Sequence, residues 1–435
     1  MMKIIISLKR RYYLARVIIF LLTVAVLIVW MTGCYICFPK QYELNISSTE
    51  GGSVTNPGER TFTYNAGTAV SLVATPDAGY CFVNWTGDVS TIDDVNAAST
   101  TINMNGNYAI TANFALGIPV RDWYDLDAVR NNLSGHYVLM NDLDSATSGY
   151  TELASPTANG GKGWEPIGNW NWEQEVEELF EGTFNGQGYQ IRGLYINRTD
   201  ESVVGLFSIV GMGGVIKNIG VVNVSVAGNH TVGGLVGCNT GNMTNCYATG
   251  IVTGNFSVGG LAGLSCGPQL NCPGQGTLSN CYAMGSVAGN NFTGGLVGVS
   301  EGPVTNCYAT SNVTGNGYVG GLVGVNFGNV TNCYSTGSVV GNNYTGGLVG
   351  ENTIKDGPAP APDGTVSDSF WDTQTSGQNV SAGGTGKNTT QMQDIDTFSG
   401  ATWNITTVGG IGERNTTYIW NIVHTVTYPF LSWQP

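Results

Sequence analysis

Near its start the chain carries a long unbroken apolar run. Val17 to Phe38 is 22 residues without a charge, and an apolar stretch of about 20 residues is long enough to cross a bilayer as a helix. From residue 42 the pattern changes. Tyr42–Ile46, Ala69–Ala74 and Ala109–Phe114 alternate apolar and polar positions with period two, separated by Gly-Gly, Asn-Pro-Gly and Asp-Ala-Gly turns. That alternation predicts short strands. From Gly228 a third pattern takes over, and it repeats. The string Gly-Asn-x-x-x-Gly-Gly-Leu-(Val/Ala)-Gly begins at Gly228, Gly254, Gly289, Gly315 and Gly341, at intervals of 26, 35, 26 and 26 residues.

A second string, Asn-Cys-Tyr, runs in step with the first at 245–247, 280–282, 306–308 and 332–334. The one long interval is explained by an insertion around Cys266–Gly276. Weaker copies flank the array, at Val204–Phe207 with Asn218–Gly220, and at Ser367–Trp371. A period of 26 residues fits one turn of a β-solenoid, in which two or three strands of roughly 3–6 residues are joined by Gly/Asn bends and stack on the next coil at about 4.8 Å. Helical repeats of this kind need about 34 residues and apolar positions 3.6 residues apart, and neither is present.

Copies of a repeat show what each position must do. Cys246, Cys281, Cys307 and Cys333 align with Ile219, and Cys238 aligns with Leu264, Val299 and Val325. A position that accepts Ile or Cys faces an apolar interior, where a free thiol packs as a small hydrophobe. Tyr247, Tyr282, Tyr308 and Tyr334 are the next residues along, so strand alternation turns them to the opposite, outer face. There they are expected either to stack on one another or to form a ligand-stacking ladder for a sugar or a partner. Asn245, Asn280, Asn306 and Asn332 are expected to bond amide to amide between coils. Cys266 and Cys272, in the inserted loop, are the best disulfide candidates.

The strings carry two resemblances. Ala66–Val70, Thr75–Trp85 and Tyr108–Phe114 resemble the divergent InlB B-repeat family, small β-grasp-like modules of surface proteins, which implies a spacer or presenting role for 42–115. The 26-residue repeats resemble the GLUG motif family over about 136–435. His136–Asp142 through Phe180–Gly186 resembles the first coils of such β-helices, and Ser369–Asp372 to Thr427–Leu431 resembles their terminal cap. Trp30-Met31-Thr32-Gly33-Cys34 resembles a bacterial lipobox, which would make Cys34 an acylated N-terminus instead of leaving the helix uncleaved. The expected fold is therefore all-β, a right-handed parallel β-helix preceded by a β-grasp-like domain and a transmembrane helix. Its parts are a basic cytoplasmic stub (1–16), the anchor or lipoprotein signal (17–38), the first module (42–115), opening coils (120–227), GLUG repeats (228–352) and a terminal coil and cap (353–435).

Charge narrows the function. Lys3, Lys9, Arg10, Arg11 and Arg16 precede the apolar run and no acid appears before Glu43, which argues for a cytoplasmic N-terminus. The rest of the chain holds 11 basic against 30 acidic residues, a net charge of −19. Such a surface repels phosphate backbones, so nucleic acid is excluded as a partner.

Catalytic signals are sparse. The GLUG resemblance extends to IgA-directed metallopeptidases, but the His-Glu-x-x-His zinc motif is missing, and the thiol ladder has neither a Cys-x₂-Cys pair nor a nearby His. His230 aligns with Phe256, Asn291, Gly317 and Asn343, a varied turn position. A polysaccharide lyase or glycosidase needs paired carboxylates or carboxylates with calcium, yet between 201 and 350 the only charged side chains are Glu201, Lys217 and Glu301. Acids cluster instead at 142–181, where Asp142 and Asp144 are the nearest to a calcium site. The expectation is a membrane-tethered surface protein with an adhesin-like or structural role toward a glycan or protein. No catalytic residue, metal or cofactor is expected. The alternative is a polysaccharide-degrading β-helix enzyme.

Overall fold

The computed structural model describes residues 2–31, 39–171, 176–266, 275–352 and 364–434. These divide into two compact units, residues 1–75 with 84–113, and residues 76–83 with 114–435. The first opens with a helix, Met2–Met31. Among the described residues no helix is long and apolar enough to cross a membrane. The span expected over 17–38 therefore has no counterpart among the described residues, which include only 17–31 of it. Residues 32–38, with Cys34, lie outside the described residues.

The first unit is a mixed β module. Gln41–Asn45 pairs antiparallel with Thr61–Asn65, Leu44–Ser48 pairs parallel with Tyr108–Ala112, and Ala69–Val73 pairs antiparallel with Ser99–Asn103. The period-two pattern places Leu44, Ile46, Leu72, Ile102, Ile110 and Trp85 in its core.

The second unit is a stack of parallel strands. One sheet runs from Ile118–Val120 through His136–Leu139 and Thr183–Asn185 into Val215–Gly228 and Asn242–Thr253, and on through the later repeats to Phe370–Asp372. A second has six strands, from Phe207–Val210 to Val349–Glu351, and a third has five, from His230–Gly233 to Asn343–Gly346. The register follows the repeat: Ile219 pairs with Cys246 and Gly220 with Tyr247, Tyr247 with Tyr282, then Tyr308, Tyr334 and Phe370. The interior is a single apolar core that takes Ile216, Val221, Leu235, Leu261, Leu296, Leu322 and Leu348 together with the four ladder cysteines. At its first end the short helix Trp123–Asp127, capped by Asp122, buries Trp123 and Leu126 against that core.

The paired glycines of the repeat are explained by close backbone approach. A Cβ on Gly294 would collide with the Val297 carbonyl oxygen, and one on Gly295 with the Gly321 carbonyl oxygen of the next coil. Leu296, next in the string, turns into the core.

Candidate functional site

The outer tyrosine row is the candidate surface named from the sequence, and the structure places it under cover. Tyr247 and Tyr282 stack at 4.6 Å, and Tyr282, Tyr308 and Tyr334 follow at 4.9 Å steps, with ring planes within 9° of parallel. All four are on the outer side of their strands, yet each is at most 5% exposed. What covers them is the segment after the last coil. From Thr389 the chain turns back along the stack in two short helices and a small sheet made of Ile405–Thr407, Trp420–Ile422 and Phe430–Leu431. It lays Trp433 against Tyr247 and Tyr282, Trp420 against Tyr308 and Tyr334, and Trp403 against Tyr334. The ladder is thus not a ligand surface. Its outward aromatic face is apolar, and apolar side chains of the same chain fill it.

Polar contacts fasten this clasp. Tyr334 Oη donates to the Pro429 carbonyl at 2.5 Å and Tyr308 Oη to Gln434 Oε1 at 2.9 Å. Asp372, fully buried, accepts from the Gln374 and Thr375 amides, from Thr389 Oγ1 and from Tyr428 Oη. Burial pushes the Tyr282, Tyr308 and Tyr334 phenols above their ordinary value, and takes those of Tyr247 and Tyr428 to about 12.

The thiols point the other way. Cys246, Cys281, Cys307 and Cys333 are fully buried and free. The Cys281 amide donates to Cys307 Sγ and the Cys307 amide to Cys333 Sγ, both at 3.3 Å. Burial pushes the Cys246 and Cys307 thiols well up, and the Cys238 thiol to about 12. Fully buried thiols among apolar side chains pack as small hydrophobes, so the row is packing. Cys266 is disulfide-bonded. The other described cysteines are free, so its partner lies outside the described residues, as does Cys272.

The bends between strands show where asparagine is used. Asn218, Asn245, Asn280, Asn306 and Asn332 all have φ of 52–54°, the left-handed region that Asn tolerates better than most residues. Their amides form a ladder in which Asn218 donates to Asn185, Asn245 to Asn218 and Asn280 to Asn245. It ends there: Asn280 Oδ1 has no partner, and Asn306 Oδ1 accepts from Trp420 Nε1 of the clasp.

Of the acidic segment, Asp142 is spent on the Gln190 amide and the Arg192 guanidinium, and Asp144 on the Ala146 amide and Thr147. Among the described residues no group of three or more His, Cys, Asp or Glu is arranged to hold a metal ion. Glu165 and Glu178 both line a cleft of about 530 Å³, together with Arg130, Arg198 and Glu201. Its charges are largely committed. Arg198 pairs with both Glu201 oxygens at 2.9 and 3.0 Å, Lys162 reaches Glu201 at 2.8 Å, and Arg130 pairs with Asp127 at 2.7 Å.

A second aromatic series escapes the alignment of copies. His230, Phe256, Phe292, Tyr318 and Tyr344 form one row along the third sheet, with centroids 4.9, 6.4, 5.1 and 4.6 Å apart. Column by column the sequence looks varied, since the ring moves from the third to the fourth place of the Gly-Asn string between the second copy and the third. In space the rings remain neighbours. A count of one aromatic per turn, indifferent to position, is the signal that would have found them.

Comparison with known proteins agrees with this architecture. Residues 42–117 match the divergent InlB B-repeat domain, and residues 228–253 and 315–340 match the GLUG motif. The chain carries an InlB-type module and GLUG repeats. It is 34% identical over 131 residues to "Halomucin" of Haloquadratum walsbyi and 42% identical over 123 residues to a "Putative Gly-rich membrane protein" of Evansella cellulosilytica. These stretches are 29% and 27% of this chain but only 1% and 12% of those proteins, so the match is to a small part of each. Among solved structures, a "putative immunoglobulin A1 protease from Bacteroides ovatus" superposes with a TM-score of 0.51 at 18% identity, over 74% of this chain and 93% of that one. At that identity the likeness is one of fold.

Proposed function

We propose that this GLUG-repeat chain is a membrane-tethered protein of the cell surface that displays its solenoid, wound right-handed as parallel crossovers favour, as an adhesive or structural element. The observation that carries this reading is the uncovered N-terminal helix. Val17, Phe20, Leu21 and Leu22 are each more than half exposed, and an apolar surface of that kind marks a site of membrane or protein contact. Basic residues before it orient the body outward, and acylation at Cys34 would serve the same tethering end. The coils support the reading by their chemistry, since buried thiols and a covered tyrosine row leave a scaffold. The names of the relatives, one a halomucin and one a membrane protein, point the same way. Protease shaving of intact cells that make the full chain tests it. The expected result is loss of the 42–435 body from unpermeabilised cells, and full protection until lysis refutes it.

The cleft between Arg130 and Ser208 supports a second reading, turnover of a polysaccharide, because Glu165 and Glu178 of the acidic segment line it together with Glu201. On that reading Glu178→Gln abolishes release of reducing ends from a polysaccharide panel. Activity that survives both Glu165→Gln and Glu178→Gln excludes it.

A further inference from the structure

The cleft that Arg130 and Ser208 line holds groups the fold leaves unspent. Most of its charges pair off. Arg130 is met by Asp127 at 2.7 Å, and Arg198 and Lys162 face Glu201 and Asp200 at 2.8–3.3 Å. Setting those pairs aside leaves Glu165 and Glu178. Both are exposed and line the cleft, and neither carboxylate has a counter-ion or a hydrogen-bond donor among the described residues. The cleft therefore carries surplus negative charge, on a chain whose net charge is already −14. A cation is drawn to such a place.

Buried donors give an independent observation. Arg198 is 7% exposed; its Nε donates to the Trp164 carbonyl at 3.0 Å and its Nη1 to both Glu201 oxygens, while Nη2 has no hydrogen-bond partner among the described residues. Ser208 is 4% exposed, and its hydroxyl is likewise unbonded among them. Buried polar groups are nearly always satisfied, and one without a partner costs stability. Both residues line the cleft, so an acceptor carried by a ligand completes them.

These groups define the ligand by exclusion. An anion is repelled by Glu165 and Glu178. A bare metal cation leaves the Arg198 and Ser208 donors unmet. An extended peptide finds no free strand edge, because the Val203, Val204 and Ser208 amides already donate to the His230, Thr231 and Ile167 carbonyls. What remains is a molecule with a positive charge, several oxygen acceptors, and a C–H face for Leu133 and Val203, which also line the cleft. A sugar unit with a free amine has all three. The volume of about 530 Å³ lies within the ~300–1,000 Å³ of ordinary small-ligand clefts.

We propose that this cleft binds a unit of an amine-bearing polysaccharide, its ammonium charge met by the Glu165 and Glu178 carboxylates and its ring or hydroxyl oxygens accepting from Arg198 Nη2 and Ser208 Oγ. The inference rests on the second reading given above, that this cleft takes a glycan, and names the class of that glycan. The test is calorimetric titration of the full chain, held in detergent, at about pH 5.5, above the ~4.3 at which a glutamate ordinarily loses its proton. The ligands are a glucosamine hexamer, its N-acetylated counterpart chitohexaose, cellohexaose, and hexalysine as an amine without a sugar. Saturable binding of the glucosamine hexamer is expected, at least tenfold tighter than that of the other two sugars and weakening as salt is raised. Glu165→Gln combined with Glu178→Gln should lower that affinity at least tenfold at an unchanged melting temperature, since neither carboxylate is bonded in the fold. Glu152→Gln, at an exposed acid outside the cleft, should leave it unchanged. Should the double variant melt early, Glu178→Gln alone decides, with an expected loss of at least threefold. No binding of the glucosamine hexamer, equal affinity for chitohexaose, or a loss in Glu152→Gln as large as in the cleft variants overturns the proposal. So does tighter binding of hexalysine that displaces the sugar, which would assign the cleft to a peptide amine. Binding without release of reducing ends sinks turnover alone. Release of reducing ends from a neutral or acidic polysaccharide, dependent on Glu178 and with the glucosamine hexamer unbound, sinks this inference and leaves turnover standing.

Discussion

Tyr334 and Tyr247 stand in the same row but are bonded differently, which gives one substitution two opposite outcomes. Tyr334 Oη is buried and donates to the Pro429 carbonyl at 2.5 Å. Changing it to Phe removes the donor and leaves that carbonyl buried without it. Such a loss costs about 1–3 kcal/mol. Tyr247 Oη is also buried but makes no hydrogen bond of ordinary geometry, with Gln190 at most a weak side-chain partner. Its hydroxyl already bears the desolvation cost, so Tyr247→Phe is expected to be neutral or to stabilise by roughly 0.5–1 kcal/mol. Ring stacking at 4.6–4.9 Å survives both changes. Guanidinium unfolding followed by tryptophan fluorescence reports the difference, because Trp403, Trp420 and Trp433 all lie in the clasp. A midpoint lowered by Tyr334→Phe and unchanged or raised by Tyr247→Phe supports this account. Equal losses at the two positions refute it, since the stack alone would then set the stability.

Four further outcomes follow from the same geometry. Asp372→Ala removes the acceptor shared by Thr389, Tyr428 and two amides, and is expected to cost at least about 3 kcal/mol and to speed proteolysis of 389–434; limited digestion measures it. Asn245→Ala places a Cβ residue at φ 54° without the amide and should cost about 1–2 kcal/mol, with Asn245→Gly costing less in the same denaturation assay. The six described free thiols, Cys81, Cys238, Cys246, Cys281, Cys307 and Cys333, are all buried, so a thiol reagent should label them only after denaturation. The clasp phenols titrate above the ordinary value of 10, with Tyr247 and Tyr428 at about 12. An unfolded tyrosine loses its proton near pH 10 while the folded one keeps it. The folded state therefore holds more protons above pH 10, and stability that is intact below that pH is lost as it rises toward 12; ultraviolet titration alongside melting checks the sign.

The solenoid was readable in the sequence because every coil must put the same side chain in the same place. Ile219 in the column of cysteines declared an interior position, and the pairing of Ile219 with Cys246 and Gly220 with Tyr247 follows that alignment residue by residue. The outward turn of the tyrosines was readable by alternation, but their covering was not. Trp403, Trp420 and Trp433 occur once each, outside any repeat, and no periodicity says which surface a unique segment will lie on. The second aromatic row was hidden for the opposite reason: it repeats in space while shifting by one place in the string.

The clasp also fixes an order of events. Each coil needs only its neighbour to bury its apolar face, so the stack can grow from the opening coils forward as the chain emerges. The row from Tyr247 to Tyr334 stays wet throughout that growth, because the tryptophans that close it come afterwards in the chain. Closure ties Trp433 to coils laid down nearly 190 residues earlier, converting a sum of neighbour contacts into one cooperative body that cannot fray a coil at a time from its far end.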